Sequence, residues 1–236
     1  EVTPREGTSI ISKDISLSVE DGFADEAKLL IQNLKEMGYN VTDKGQTVIA
    51  LCHFPQNMQA KNDEHYRLDV KDKYITVSGG TPHAIFNGTQ TLVSLLKKQT
   101  IPAKLENIAI NDYPDLLYRG MMLDIARNFT KKADLLKLIN QLAAYKINVL
   151  HFHFSDDEAW RLEIPGLEEL TAIGSRRGFT EDESQCLYPV YYGGWNPNDT
   201  TATANGYYTR EDFIEVLQYA AKRHITVIPV SYTHLT

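Results

Sequence analysis

From Leu117 onward the chain follows one rhythm, and that rhythm constrains the fold more than anything else in it. LYRGMMLDIA (Leu117–Ala126) reads as a strand. Lys131–Tyr145 reads as an amphipathic helix, with Leu135, Leu138, Ile139 and Leu142 recurring at helical spacing. NVLHFHF (Asn148–Phe154) is a strand again. A long segment containing Gly, Pro and Asn runs from Ser155 to Gly206. Thr209–Arg223 then reads as a helix, with Thr209 as N-cap and Asp212 three residues on, close to a capping box. ITVIP (Ile225–Pro229) supplies a third strand. Strand, helix, strand, helix, strand implies parallel pairing with right-handed crossovers. Two folds suit it, an open doubly wound sheet or a (β/α)8 TIM barrel. No Gly-rich phosphate loop follows the first strand, which counts against a dinucleotide-binding sheet.

The first 112 residues have a different grain. ISLSV (Ile15–Val19) and TVIALC (Thr47–Cys52) read as strands. Between them Asp25–Met37 carries Ala27, Leu30, Ile31 and Leu34 at helical spacing, with Gly38 as C-cap. YRLDV (Tyr66–Val70) and KYITVSG (Lys73–Gly79) read as a hairpin. Thr81–Lys97 predicts a helix with Pro82 in its first turn. The expected organisation is therefore an α+β domain over 1–112 and a second domain over 113–236, divided near Asp112, Tyr113 and Pro114. The first domain shows no cluster of catalytic groups; His53, His65 and His83 are scattered and read as structural or exposed.

The totals narrow the function classes. Among 236 residues, 42% are apolar and 23% charged, as in an ordinary globular protein. A net charge of −7 argues against nucleic acid or an anionic membrane as main partner. No apolar run approaches the roughly 18–20 residues of a membrane span. Cys52 and Cys186 lie far apart with no CxxC pattern, supporting neither a zinc site nor a disulfide framework. No cofactor is expected. Thirteen tyrosines suit a carbohydrate site by ring stacking, although a count alone is weak evidence.

Parallel α/β enzymes collect their chemistry at the carboxyl ends of strands. Here the first strand ends in Asp124, Ile125, Ala126 and Arg127, and the second in Asp156 and Asp157. The segment that follows carries Trp160, Arg161 and Trp195. Arg127 offers a planar fork suited to paired hydroxyls or carboxylates. The bland alternatives are an Arg127–Asp156 salt bridge, an Asx turn or cap at Asp157, and plain packing for the tryptophans. His151 and His153 share a strand face opposite Phe152 and Phe154. They read as hydrogen-bonded filling of a barrel interior, with a two-histidine metal site as the alternative.

The wording of three stretches then becomes informative. RGMMLDIARNF (Arg119–Phe129), YKINVLHFHFSDDEAWRLEI (Tyr145–Ile164) and NGYYTREDFIEVLQYAAKRHITVIP (Asn205–Pro229) resemble, in order and spacing, the family 20 glycoside hydrolases, the β-N-acetylhexosaminidases. The resemblance implies a non-catalytic α+β domain followed by the first three strands of an incomplete (β/α)8 TIM barrel. It implies removal of terminal β-linked N-acetylglucosamine or N-acetylgalactosamine from an oligosaccharide or glycoconjugate. Family members retain configuration through the substrate's own acetamide, assisted by an Asp–Glu pair. By position, Arg127 matches the family arginine that binds the 3- and 4-hydroxyls of the terminal sugar. Asp156 matches the aspartate that pairs with a histidine beyond the third strand, and Asp157 is its neighbour. Asn128 stands where the family usually has a histidine.

Two departures shape the remaining expectations. The resemblance puts the catalytic Asp–Glu pair at a fourth strand end, so no catalytic residue is assigned within these 236 residues and the chain by itself is expected to be inactive. After Pro229 the family's acidic residue and Met-Pro-Gly-His turn are replaced, so 230–236 (VSYTHLT from Val230) reads as a non-native tail. The family's habit implies periplasmic or secreted localisation. Two rival classes remain: a carbohydrate-binding or interaction protein without activity, and a metal-dependent barrel hydrolase built on His151 and His153.

Overall fold

In the computed structural model, which describes residues 1–156, 159–176 and 204–230, the alternating runs of the first half join one mixed sheet. Its strands are β1 (Val2–Ile11), β2 (Asp14–Val19), β3 (Asn40–Val41), β4 (Thr47–His53), β5 (Tyr66–Lys71), β6 (Tyr74–Gly79) and β7 (Ala103–Asp112). Their order is β1-β7-β5-β6-β4-β2-β3. The β1, β7, β5 and β6 side is antiparallel, and β6, β4, β2 and β3 run parallel. Two helices, α1 (Ala24–Glu36) and α2 (Pro82–Lys97), supply the apolar cover. Strand residues Ile15, Ile49, Leu51, Leu68, Val70, Ile75 and Val77 form one buried cluster with Leu30 and Leu34 of α1 and Ile85, Leu92 and Leu96 of α2. Period two on the strands meets period 3.6 on the helices, as one-sided burial requires.

The local signals explain most boundaries. Gly38 takes φ +95 just past α1, and the amides of Gly38 and Tyr39 bond back to the carbonyls of Lys35 and Leu34. The Thr81 hydroxyl accepts from the Ala84 amide and Pro82 opens α2. Tyr66–Lys71 and Tyr74–Gly79 pair antiparallel, with Asp72 at φ 55 in their turn. Strands β1 and β7 have no counterpart in the sequence reading. Pro4 and Gly7 break the alternation of β1, its register shifts between Pro4 and Thr8, and most of it is exposed. Its assignment comes from pairing with β7, a partner about a hundred residues away. The histidines of this half serve structure. His65 accepts at Nδ1 from the Lys61 amide (3.1 Å), which leaves Nε2 to donate to Asn111 Oδ1 (2.8 Å). His83 lies 3.3 Å from the buried Glu64, which also accepts from Asn87.

The chain divides into two compact units after Leu117, so Leu116 and Leu117 go with the first. The second unit contains β8 (Gly120–Asp124), α3 (Lys132–Ala144), β9 (Val149–His153), the short pair β10 (Ser155–Asp156) and β11 (Ala159–Trp160), α4 (Glu169–Ala172), α5 (Arg210–Ala221) and β12 (Thr226–Val230). Strands β8, β9 and β12 lie side by side in chain order and all pair parallel. Both helices cover one face of them. Lys132 of α3 donates to Asp212 (2.6 Å) and Glu215 (2.7 Å) of α5, and Arg223 donates to Asn140. Phe152 and Phe154 point into that helical layer, with rings 6.3 and 6.5 Å from Phe213. Sequential parallel strands with helices on one side are the opening that a (β/α)8 barrel shares with one half of a doubly wound sheet. On the opposite face Met122, His151 and Ile228 stand abreast in register. Val230, read from sequence as the start of a foreign tail, is the last residue of β12 and pairs with His153.

Candidate active-site rim

The parallel register brings Asp124 at the end of β8 opposite His153 at the end of β9. The two turns that follow then carry Arg127 and Asp156 to the same place. Asp124 Oδ1 accepts the backbone amides of Ala126 (2.9 Å) and Arg127 (3.2 Å), closing an Asx-type turn. Its Oδ2 accepts from Arg127 Nη1 at 3.1 Å. Nη1 also donates to Asp156 Oδ2 at 2.5 Å. One terminal nitrogen thus sits between two carboxylates, and all three side chains are mostly shielded, at 13% for Arg127 and 19% for each aspartate.

His153 completes the group. Its Nε2 lies 2.7 Å from Asp156 Oδ2 and 3.1 Å from Arg127 Nη1. A carboxylate oxygen only accepts, so the tautomer that holds its proton on Nε2 donates to Asp156. The 3.1 Å approach is then between two donors that share an acceptor. Sequence reasoning paired Asp156 with a histidine beyond the third strand. In this structure it is engaged by His153 at the end of β9, three residues upstream. His153, read as hydrogen-bonded filling of a barrel interior, is hydrogen-bonded within this polar group. The alternation HxH followed three residues later by Asp was the available signal. His151 lies abreast of it, ring centroids 6.4 Å apart. Asp124 was recognisable as a strand-end residue, with no role assigned to it.

The remaining sequence candidates separate. Trp160 packs edge-on against Phe154 at 5.5 Å and its indole N–H donates to the Leu162 carbonyl, so it packs rather than lining the rim. Arg161 was expected on the rim as well, but it is fully buried beneath it. Its guanidinium bonds backbone carbonyls at four places, because a buried charge without acceptors would be too costly. Asn128 is exposed. Asp157, Cys186, Trp195 and residues 231–236 lie outside the described residues. Among the described residues no three His, Cys, Asp or Glu side chains are grouped to hold a metal. The Arg127 guanidinium beside His153 also disfavours a cation there by Coulomb repulsion. No helix among the described residues is long and apolar enough to cross a membrane.

What the rim offers chemically is a held guanidinium backed by carboxylates at the carboxyl ends of neighbouring parallel strands, an arrangement typical of polar-ligand sites in α/β enzymes. Comparison with known proteins defines the class. Residues 1–113 match the family description "Glycosyl hydrolase family 20, domain 2" and residues 116–231 match "Glycosyl hydrolase family 20, catalytic domain". The chain belongs to glycosyl hydrolase family 20. It is similar to beta-hexosaminidase B of Pseudoalteromonas piscicida, 38% identical over 93% of this chain and 27% of that protein. It is likewise 38% identical to a beta-hexosaminidase of Vibrio vulnificus, over 97% of this chain and 26% of the relative. Among solved structures, the family 20 exo-β-N-acetylglucosaminidase of Vibrio harveyi in complex with N-acetylglucosamine superposes with TM-score 0.79 at 27% identity, covering 97% of this chain and 34% of that one. The β-N-acetylhexosaminidase of Streptomyces coelicolor gives 0.77 at 28% identity, with 97% and 44% covered. The chain therefore spans about a quarter of the length of these curated relatives. It carries an N-terminal domain and part of a catalytic domain.

Proposed function

We propose that these residues work within a longer glycoside hydrolase that removes terminal β-linked N-acetylhexosamine from an oligosaccharide or glycoconjugate. The observation that carries the reading is Arg127, held between Asp124 and Asp156 where two adjacent parallel strands of a family 20 catalytic domain end. A guanidinium already fixed by two carboxylates loses little freedom when it meets a pair of sugar hydroxyls. Asp156, with His153 against it, keeps that guanidinium in place. The three-stranded sheet with its one-sided helices is read as the opening of a (β/α)8 barrel.

The chemistry proposed is retaining and substrate-assisted. The acetamide carbonyl oxygen attacks the anomeric carbon as the glycosidic C–O bond breaks, and a carboxylic acid gives its proton to the leaving oxygen. Water then opens the oxazolinium ion, with the same carboxylate taking a proton back. The acid and its aspartate partner are assigned to the part of the catalytic domain outside these 236 residues, since the chain spans only about a quarter of its relatives. No metal or cofactor is required by this scheme. Periplasmic or secreted localisation accompanies the proposal.

The test is a chromogenic β-N-acetylglucosaminide assayed with the full-length protein, with its Arg127→Ala variant, and with residues 1–236 alone. Turnover by the full-length protein, a rise in KM of tenfold or more on Arg127→Ala, and no turnover by residues 1–236 are expected; about 1–3 kcal/mol for hydrogen bonds from a charged donor sets that scale. Full activity in Arg127→Ala would remove the sugar-binding role. N-acetylglucosamine binding without turnover in the full-length protein would favour the carbohydrate-binding alternative.

A further inference from the structure

We propose that Arg161 is a positioning residue for Arg127: a buried guanidinium that holds the backbone on which the sugar-binding arginine stands. The inference rests on the proposed sugar-binding role of Arg127. Arg161 follows β11 and is 0% exposed. Its Nε donates to the carbonyl of Ile125 (3.0 Å) and its Nη2 to that of Ala126 (2.9 Å). Those are the two residues immediately before Arg127, and both are themselves fully buried. Nη1 donates to the carbonyls of Ser175 (2.7 Å) and Gly206 (3.0 Å). The Phe129 ring, two residues after Arg127, lies 5.9 Å from the guanidinium carbon.

A planar fork is what this geometry demands. Three separate backbone segments converge on one side chain from different directions in one plane, and lysine's single ammonium cannot reach them all. The Arg127 loop is consequently fixed from two sides. Asp124 takes the amides of Ala126 and Arg127, and Arg161 takes the carbonyls of Ile125 and Ala126. The far side is closed by Tyr208, whose hydroxyl donates to the Thr130 carbonyl and whose ring lies 5.1 Å from Phe129. Gly206 leaves the room for the Phe129 ring, since a Cβ there would sit 2.3 Å from it. A binding group displaced by about 1 Å loses on the order of a hundredfold, so a loop holding a ligand-binding guanidinium needs such a support.

The test is a double-mutant cycle in the full-length protein, made of Arg161→Lys, Arg127→Ala and the double variant, with KM and kcat for a chromogenic N-acetylglucosaminide and inhibition by N-acetylglucosamine and its 4-deoxy analogue. Arg161→Lys should raise KM about tenfold or more and narrow the preference for N-acetylglucosamine over the 4-deoxy sugar. On the Arg127→Ala background the same change should alter KM less than about threefold, because the group being positioned is gone. Equal losses on both backgrounds, or an Arg161→Lys enzyme with unaltered KM and sugar preference, would overturn the inference and leave the role of Arg127 standing. If Arg127→Ala is itself silent, both fall. Should Arg161→Lys not fold, Phe129→Leu removes the ring beneath the guanidinium while keeping an apolar side chain. A KM rise that disappears on the Arg127→Ala background supports the inference, and an unchanged KM overturns it.

Discussion

Replacing Asp156 by asparagine is the sharpest probe of the rim. The side chain keeps its shape and one carbonyl acceptor but loses its charge. Asp156 Oδ2 accepts from Arg127 Nη1 at 2.5 Å and from His153 Nε2 at 2.7 Å. A hydrogen bond to an ionised group contributes about 1.5–3 kcal/mol and a neutral one about 0.5–1.5 kcal/mol, so two such bonds lose roughly 2–3 kcal/mol together. Relief of repulsion between Asp156 and Asp124, which share the same nitrogen, offsets part of this. The net expectation is a local destabilisation of about 2 kcal/mol, larger than the usual value below about 1 kcal/mol for a surface pair, because these groups are only 13–19% exposed. Native-state hydrogen exchange reads it directly at the Ile125 amide, which bonds the His153 carbonyl at 3.0 Å. Its protection should fall roughly thirtyfold. Asp69→Asn, on the more exposed pairs with Arg5 and Arg67 in the first unit, is the control and should change exchange near it several-fold at most. A change at Ile125 below threefold, or one no larger than the control's, would refute the claim that Asp156 organises the rim.

Two further predictions concern the scaffold. Gly88→Ala in α2 should destabilise the first unit by about 1–2 kcal/mol in urea titrations. The new Cβ would stand 2.4 Å from Val77 Cγ1 and 3.0 Å from the Tyr66 ring, and about 1–3 kcal/mol of overpacking exceeds the roughly 1 kcal/mol that alanine gains over glycine in a helix. In α5, the hydrogen bond from Lys132, backed by the Thr209 capping contacts, holds the Asp212 carboxyl below its ordinary range despite an opposing desolvation. A depressed carboxylate stabilises fully above its unfolded value of about 3.9 and loses that contribution as pH falls through the lower folded value. Exchange protection of α5 should thus drop in acid below about pH 4, and Thr209→Ala should cost about 1 kcal/mol at neutral pH; protection that stays flat into strong acid would contradict this.

How much of this was legible beforehand differs by element. The helices and central strands were, because their periodicities match burial on one face: Leu30 and Leu34, or Ile49 and Leu51, can only be one kind of surface. The capping pair Thr209 and Asp212 was legible because caps are local. Strands β1 and β7 were not, since a half-exposed strand containing Pro4 and Gly7 carries no periodic signature and is defined by its distant partner. That α3 and α5 lie together on one face was also undecided until the Lys132–Asp212 and Lys132–Glu215 bridges joined them.

The site divides the same way. Residue types and their placement at strand ends determined that Arg127 and Asp156 belong together, and the wording of three stretches determined the family. Which atoms meet was decided by the tertiary structure alone. Parallel register set His153 opposite Asp124, and the turn after β9 brought Asp156 against it. Burial turned Arg161 from an apparent rim residue into the support of the Arg127 loop, because a guanidinium with no access to water must find carbonyls, and those carbonyls come from segments that only the fold brings within reach.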